Sequence, residues 1–318
     1  MRGWSEVRQA GQKTAAVVVA YRGGTELQAC VERLLALSPD GLDVFVVINQ
    51  PADEGARRVR ALAAGQPRLR VRELECNRGF AGAVNAAVDW VVATGQGLGR
   101  CYWAYALVNQ DCMVEPGWAG PMLELLATEP GVGLAGAHIL EPDGRTVQHA
   151  GGRILDNGLT EHIGRGQPDR PGDRTGPCDA EYVTGALCTV RAEVWARFGP
   201  FDAGFEPVYF EEVDFCMRLR SAGLRIVYVP ESRARHSEAS SSAGPGSDLF
   251  LERYHRSRMR FVARHLLGAD LLLGTLAAEL AWLLRLRTLR EIRPVLRAYL
   301  GLPRQLLSVR RTAIASLP

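Results

Sequence analysis

Lysine is nearly absent from this 318-residue chain: Lys13 is the only one, and arginine supplies the rest of the 38 basic residues. The seven cysteines form no CxxC pair, which argues against a zinc finger or a disulfide framework, so we expect reduced thiols in a cytosolic protein. The best candidate for a membrane-spanning helix, residues 266–284, contains Asp270 and Glu279, each costly in a bilayer. With 47% hydrophobic and 23% charged residues, the chain has the composition of an ordinary globular protein.

Positive charge is concentrated towards the C-terminal end. From Phe250 onward thirteen arginines stand against four acids, although the whole chain carries a net charge of only +3. A basic, leucine-rich tail favours contact with an anionic membrane face. A helical subdomain with solvated arginines explains the same composition, and both interpretations stay open. We expect no nucleic-acid partner.

Short β-rich runs alternate with helical patterns in the first half of the chain. Predicted strands cover residues 15–20, 43–48, 69–74 and 102–108, and predicted helices cover 24–37, 54–63 and 79–93. Such alternation favours an α/β fold with a mostly parallel sheet and helices on both faces. Beyond residue 112 we predict helices at 117–128 and 208–222, strands at 133–139 and 225–229, a long loop at 156–178, a flexible segment at 240–247 and amphipathic helices from 249.

A polar triplet, Asn109-Gln110-Asp111, directly follows the predicted strand 102–108. In an open α/β sheet, ligands bind at the carboxyl ends of the strands. Because magnesium and manganese are often held by only one or two carboxylates plus substrate phosphates, Asp111 is a candidate cation ligand. An Asx turn that closes the strand would use the same residues.

Three acids, Glu211, Glu212 and Asp214, lie beside aromatic residues. Like charges near apolar surface raise carboxylate pKa values, which suits a general base, although acids at a helix N-terminus also stabilise the helix dipole. His236 follows the strand 225–229, and a carboxylate and an imidazole that meet at a sheet edge can share a cation. His149 is a second histidine that could line a pocket.

The segment Asn77-x-Gly79-Phe80-Ala81-Gly82-x-x-Asn85 joins the third predicted strand to a helix. Its glycines let backbone approach a ligand, and a helix N-terminus offers free N–H groups to phosphates. A tight strand-to-helix turn also requires small residues. The segment is not a Gly-x-Gly-x-x-Gly fingerprint and does not follow the first strand, which argues against a dinucleotide-binding fold.

These blocks, in this order, resemble the family 2 glycosyltransferases of GT-A fold over roughly residues 15–241. The other segments that carry the resemblance are Val17-Val18-Val19-Ala20-Tyr21, Thr184-Gly185-Ala186, Gly199-Pro200-Phe201-Asp202, Phe210-Glu211-Glu212-Val213-Asp214-Phe215, Val229-Pro230 and His236. The resemblance implies a GT-A domain at 1–248, with a nucleotide-binding half at about 13–112 and an acceptor half at 113–248. A basic helical tail at 249–318 would follow.

The resemblance also implies a chemistry: inverting transfer of one sugar from a nucleotide-sugar to an acceptor hydroxyl. UDP- or dTDP-sugars are the favoured donors, and the acceptor is a carbohydrate, a lipid-linked molecule or a natural product. Asp111 and His236 would hold Mn2+ or Mg2+, and Glu212 would be the general base. Tyr21, Asn49, Asn77, Gly79, Phe80, Asn85 and Asn109 would bind the donor, and Glu211, Asp214, Gly185 and His149 would support the acceptor side.

Two departures from the family pattern motivate alternatives. Ile48 stands where many members carry an acid that holds the nucleotide base, so Asn49 or Asp53 would substitute for it or the donor base differs. Asn109 replaces the first acid of the metal-binding motif. A catalytically inactive partner protein of the same fold is therefore one alternative, and a nucleotidyltransferase is another. We expect the chain in the cytoplasm, with a peripheral contact to the inner membrane face left open.

Overall fold

The computed structural model describes residues 12–49, 53–170, 176–238 and 247–315. The strands are β1 Gln12–Ala20, β2 Leu42–Ile48, β3 Leu69–Glu73, β4 Cys101–Asn109, β5 Cys112–Val114, β6 Val132–Leu140, β7 Val147–His149, β8 Gly152–Ile154, β9 Thr160–His162, β10 Cys178–Ala180, β11 Leu187–Arg191 and β12 Arg225–His236. The helices are α1 Gly24–Leu37, α2 Glu54–Ala63, α3 Gly79–Gly97, α4 Gly120–Thr128, α5 Ala192–Phe198, α6 Glu211–Ser221, α7 Asp248–His265, α8 Ala269–Leu283 and α9 Leu289–Ala315, with a 3-10 turn at Ala203–Phe205. No described helix has the length and apolarity needed to cross a membrane.

One mixed sheet organises the chain, with the strand order β10-β12-β6-β11-β4-β1-β2-β3. The strands β4, β1, β2 and β3 are parallel neighbours, so their carboxyl ends share one edge. Antiparallel β11 separates β4 from β6, and β12 runs parallel to β6. The predicted mixed, mostly parallel α/β sheet is confirmed.

Both faces of the sheet are buried because successive side chains of β1 alternate between two cores. Ala15 and Val17 face the core that α3 covers, whereas Ala16 and Val18 face the core that α1 and α4 cover. Every residue of β2 is buried, as expected of a central parallel strand. The helical layers therefore leave the edge with the strand ends as the open side of the domain.

Several segments differ from the sequence predictions: β11 and α5 had no prediction, and the helix predicted at 208–222 begins only at Glu211. The stretch predicted as a loop at 156–178 contains β9, which pairs with β8 in a small ribbon, and it ends at the first residue of β10. Strand β12 continues past residue 229, with a register shift between Val229 and Arg233 that absorbs the proline, so His236 is its last residue rather than lying beyond it. The predicted flexible segment 240–247 lies, except for Ser247, outside the described residues.

The basic tail packs against the sheet domain through buried arginines. Arg258 is fully buried and donates to the Asn157 carbonyl of the sheet domain at 3.1 Å. It also forms a two-bond ion pair with Glu279 of α8, with N–O distances of 2.7 Å each. Arg260 is 2% exposed and pairs with Asp202 at 2.7 Å. These arginines are therefore structural, and the picture of uniformly solvated arginines in the tail is wrong for α7.

Candidate active site

A cleft of about 610 Å³ opens at the carboxyl ends of β1, β2 and β4. It collects most of the residues predicted for the site: Tyr21, Asn49, Asn77, Gly79, Phe80, Asn109, Asp111, Gly185, Glu211, Glu212 and His236. Asn85, His149 and Asp214 do not line it. Residues more than two hundred positions apart in the sequence thus meet at the edge where parallel sheets bind ligands.

Asn49 braces the turn between β3 and α3. Its Nδ2 donates to Asn77 Oδ1 at 2.9 Å and to the Gly79 carbonyl at 3.1 Å, and its Oδ1 accepts from the Arg78 N–H at 2.9 Å. These bonds use both N–H groups of the buried amide and one acceptor position of its oxygen. Asn49 therefore shapes the turn that faces the cleft.

Gly79 begins α3 with a left-handed φ of +66°. A Cβ at this position would lie 2.8 Å from Cγ of Glu206 and 3.1 Å from the Pro207 carbonyl oxygen. The glycine is thus required both by its backbone conformation and by close packing. The tight approach lets the Phe80 N–H donate to the Pro207 carbonyl at 2.9 Å, which joins the two walls of the cleft.

Gln110 fixes the end of β1, a role that no pattern in the sequence indicates. Its Oε1 accepts from the Tyr21 N–H and its Nε2 donates to the Tyr21 carbonyl, both at 2.8 Å. The two bonds continue the hydrogen-bonding pattern between β1 and β4 beyond the point where these strands end. Tyr21 is therefore held at the cleft through its backbone, and the Arg22 guanidinium carbon lies 5.3 Å from the centre of its ring.

Asp111 and His236 meet in the cleft, with Oδ1 of the carboxylate 3.2 Å from Nε2 of the imidazole. Gln148 determines the histidine tautomer. Because Gln148 Nε2 donates to the His236 carbonyl at 2.9 Å and to Glu141 at 3.1 Å, its Oε1 must be the atom that accepts from His236 Nδ1 at 2.8 Å. Nδ1 thus carries a proton. Nε2 faces the carboxylate and also lies 3.2 Å from Asn109 Nδ2, so the Asn109 amide can donate to it.

A cation between the Asp111 carboxylate and His236 Nε2 would take the place of this Asn109 N–H donor. The buried Oδ1 of the same amide has no hydrogen-bond partner among the described residues, so rotation of the amide would offer an oxygen to the site. Octahedral ligands at about 2.1 Å from a metal lie about 3 Å apart, close to the separation of the Asp111 and His236 atoms. Within the described ranges no cluster of three His, Cys, Asp or Glu side chains could hold a metal. Asp111 and His236 alone fit a cation that takes its other oxygens from a substrate, as magnesium and manganese often do.

Glu211 and Glu212 are the first two residues of α6, and two left-handed residues precede them, Tyr209 at φ +83° and Phe210 at φ +74°. Non-glycine residues seldom adopt this conformation, and such strain is characteristic of functional sites. Here it turns the chain sharply, so that α6 starts at the cleft wall and presents both carboxyl groups there.

Burial raises the pKa of the Glu212 carboxyl above its usual value, although backbone N–H groups of Glu212, Gly185 and Val213 act in the opposite direction. Burial and the neighbouring Glu212 raise the pKa of Glu211 well above its usual value. Glu212 is partly exposed to the cleft, whereas Glu211 is 2% exposed. Glu212 is therefore the carboxyl group that a substrate can reach, and its raised pKa suits proton abstraction.

Three predicted site residues have structural positions instead. Asn85 bonds through both ends of its amide to the backbone of Phe201, at 2.9 Å each, so its predicted donor contact is not supported by its placement. Asp214 is fully buried and accepts from Arg218 at 2.9 Å and from His265 at 2.8 Å, which ties α6 to α7. It lies on the side of α6 away from the cleft.

His149 is also buried, behind the wall of the cleft rather than in it. Its Nε2 accepts from the Thr184 N–H at 3.2 Å, and its Nδ1 lies 2.9 Å from Nδ1 of His162. His162 does line the cleft, and burial, with Arg165 nearby, lowers its pKa to about 4. A neutral pair of histidines thus supports this wall. The sequence analysis named His149 but neither His162 nor Arg165.

The C-terminal tail forms another wall. Phe250, Leu251, Arg253, Tyr254 and His255 of α7 and Trp282 of α8 all line the cleft. Tyr254 contacts β9 through its hydroxyl, which accepts from the Thr160 N–H at 3.0 Å. Nothing in the amphipathic pattern of the tail indicates that it returns to the site, because periodicity predicts a helix but not its docking position.

Two relatives and one solved structure illustrate what the chain is similar to. It is 32% identical over 225 residues to uncharacterized protein y4gI of Sinorhizobium fredii, covering 68% of this chain but only 23% of that protein. It is 27% identical over 285 residues to N-acetylglucosaminyl-diphospho-decaprenol L-rhamnosyltransferase of Mycobacterium tuberculosis, covering 85% and 88%. The crystal structure of GalNAc-T7 with UDP, GalNAc and Mn2+ superposes with a TM-score of 0.61 at 14% identity, over 83% of this chain and 50% of that chain.

Family models agree with these similarities and with the GT-A fold of the solved neighbour. Residues 15–194 match the model for glycosyl transferase family 2, and residues 171–260 match glycosyltransferase-like family 2. The first match alone covers more than half of the chain and includes the ends of β1, β2 and β4. The chain therefore belongs to glycosyl transferase family 2.

Proposed function

We propose that this protein is an inverting glycosyltransferase that moves one sugar from a nucleotide-sugar, favoured as a UDP- or dTDP-sugar, to an acceptor hydroxyl. The observation that carries the proposal is the placement of Glu212 in the same cleft as the Asp111–His236 pair, whose facing atoms are 3.2 Å apart. A base and a cation site that open to one cavity match what sugar transfer from a diphosphate requires.

Asp111 and His236, with Asn109 beside them, would hold Mn2+ or Mg2+, and the Mn2+ that accompanies UDP in the GalNAc-T7 structure supports a divalent cation. When bound, the cation supplies neutralisation of the charge that develops on the leaving diphosphate. Gln148 orients the His236 ring for this role. The Asn77–Phe80 turn, braced by Asn49, would lie against the nucleotide.

Glu212 would accept the proton of the acceptor hydroxyl as that oxygen attacks the anomeric carbon from the face opposite the diphosphate. The bond from the anomeric carbon to the diphosphate oxygen breaks as the new carbon–oxygen bond forms, so the configuration inverts. Backbone N–H groups of Gly185 and Val213 hold the carboxylate in place. Its raised pKa favours uptake of the proton.

The acceptor would enter along the wall made by α7 and α8. Arg253 lines this part of the cleft, is half-buried and pairs with no acid of the described residues. A guanidinium in this position suits an acceptor that carries phosphate. The rhamnosyltransferase named above acts on a diphospho-decaprenol, which supports a lipid-linked acceptor here. Such a carrier lipid makes the cytoplasmic side of a membrane, with peripheral contact, the expected location.

The proposal is tested with purified protein, a panel of UDP-, dTDP- and GDP-sugars, and Mn2+, Mg2+ or EDTA. We expect one nucleotide class to raise the melting temperature only with metal, and Asp111→Ala to abolish that shift. Glu212→Gln should keep the shift but lose at least about a hundredfold in sugar transfer, since general-base catalysis contributes about that much. The exposed Glu193→Gln is the matched control. A folded protein that binds no nucleotide-sugar would instead favour the inactive-partner alternative.

A further inference from the structure

Helix α8 turns a row of leucines towards solvent. Leu273, Leu276, Leu280 and Leu284 are 80%, 55%, 60% and 78% exposed. They follow one another at intervals of three or four residues, which places them on one face of α8 and its C-cap. We call these four residues the leucine face. A helix of a globular protein normally buries such a stripe.

The opposite face of α8 carries the residues that pack against the protein. Thr275 is buried and donates to the Leu266 carbonyl at 3.2 Å. Glu279 pairs with the buried Arg258, and the ring of Trp282 lies 4.8 Å from the Arg258 guanidinium carbon. The helix is therefore fixed with its polar and aromatic side inward. The exposure of the leucine face follows from this docking and not from a loose helix.

Cations lie immediately next to the leucine face. Arg285 and Arg287 follow Leu284 in the chain, and Arg293 lies one to two turns into α9; all three are exposed. Among the parts of the chain that the structure describes, no carboxylate forms an ion pair with their guanidinium groups, although Glu291 accepts from the Arg287 backbone N–H at 3.2 Å. By contrast, Arg297 of α9 is paired with Glu252 at 3.0 Å. Apolar surface and unpaired positive charge thus meet at the C-terminal end of α8.

We propose that the leucine face and the adjacent arginines bind the surface of an anionic phospholipid bilayer. The 15 residues of α8 extend over roughly 22 Å, shorter than a hydrocarbon core of about 30 Å, so the helix would lie along the interface. Exposed leucines enter the acyl boundary, and arginines pair with lipid phosphates.

A membrane bound to α8 would also lie close to the cleft. This part of the proposal rests on the proposed function. Trp282 lines the cleft from the inner side of the helix whose outer side carries the leucine face. A bilayer bound to α8 therefore lies beside the acceptor wall. A lipid-linked acceptor would reach the cleft while its carrier stays in the membrane.

The test is cosedimentation of the full chain with vesicles of phosphatidylcholine alone and of phosphatidylcholine mixed with phosphatidylglycerol. We expect binding to the mixed vesicles that weakens as salt is raised, because exposed charges are screened. The double variant Leu273→Ser/Leu280→Ser should lower the partition coefficient at least about tenfold, since membrane affinity scales with buried apolar area. Leu98→Ser, at a 48% exposed leucine that follows α3, is the matched control.

Unchanged vesicle binding by the double variant would overturn the proposal, as would equal binding to both vesicle types. Light scattering after size exclusion measures whether the protein is a dimer. If the unmodified chain is a dimer and the double variant is a monomer, a second copy of the chain covers the leucine face instead of a membrane. Transfer to a water-soluble acceptor, measured separately, should be unchanged in the double variant. Vesicle binding does not require catalytic turnover. The membrane proposal can therefore be judged even if the protein proves to have no glycosyltransferase activity.

Discussion

Replacing Gln148 with leucine removes the acceptor that fixes the His236 ring and leaves Asp111 and His236 themselves in place. Gln148 is 3% exposed and makes three bonds: it accepts from His236 Nδ1, and it donates to the His236 carbonyl and to Glu141. Leucine has a similar volume but makes none of them. The imidazole is then free to rotate or to move its proton to Nε2, the atom that faces Asp111.

The magnitude follows from two separate effects. Loss of a partner that orients a metal-binding histidine weakens metal affinity by about 10- to 100-fold, which corresponds to about 1.4–2.7 kcal/mol. The buried His236 carbonyl also loses its donor, which lowers the free energy of unfolding by about 1–3 kcal/mol. The first effect concerns the cation and the second concerns the fold, so they are measured independently.

Calorimetric titration of Mn2+ into the protein with and without UDP gives the metal affinity, and urea unfolding gives the stability. Gln28→Leu is the matched control, because Gln28 is a half-buried residue of α1 whose amide, among the described residues, donates to Glu32 at 2.7 Å. We expect the control to change neither quantity. A folded Gln148→Leu protein with unchanged Mn2+ affinity would refute the tautomer argument and the cation site built on it.

Three further predictions concern charge. Because burial raises the pKa of Glu211, its contribution to stability is lost as pH rises above about 4.5. Glu211→Gln should therefore raise the free energy of unfolding at pH 8 but hardly at pH 4. Urea titrations at the two pH values measure this difference. Asp214 has a lowered pKa, since His265, Arg218 and Arg264 together outweigh its burial, so its contribution is present above about pH 4 and lost below it. Asp214→Asn should cost about 3–5 kcal/mol at pH 7 by urea unfolding, whereas the exposed Asp248→Asn should cost almost nothing. Arg253→Ala should raise KM for a diphosphate-bearing acceptor about 10- to 100-fold with unchanged nucleotide affinity, and an unchanged KM would remove Arg253 from the acceptor site.

Local sequence patterns predicted the strands and helices of the first half of the chain. Helices α1 and α2 begin and end where their periodicity and punctuation indicate, and Asp53 caps α2 by accepting from the Ala56 N–H at 2.7 Å. These elements depend on neighbours within a few residues, which a sequence displays directly. Strand β9 was missed because three residues between polar turns carry too little pattern to be distinguished from a loop.

The site was predictable where polar residues follow a strand end, as at Asp111, or where acids begin a helix beside aromatic residues, as at Glu212. Asp111 and Glu212 line the cleft as expected, yet their partners depend on contacts distant in the sequence. Gln148 is 88 residues from His236, and nothing in either segment indicates the other. Asp214 was misplaced for a related reason: three acids at the start of one helix cannot all point to the same side, and only tertiary packing determines which one faces inward.

Helices α7 and α8 form one wall of the cleft, although the family resemblance ends the catalytic domain at residue 248. The unit that encloses the cleft therefore includes part of the tail. A protein truncated after residue 248 would keep the nucleotide edge but lose one side of the cleft. For engineers, the tail is then a candidate module for exchanging acceptor preference between related enzymes. Such a graft would also have to include the residues of the domain that contact the tail. These are Asn157, Thr160 and Asp202, which bond to Arg258, Tyr254 and Arg260 respectively.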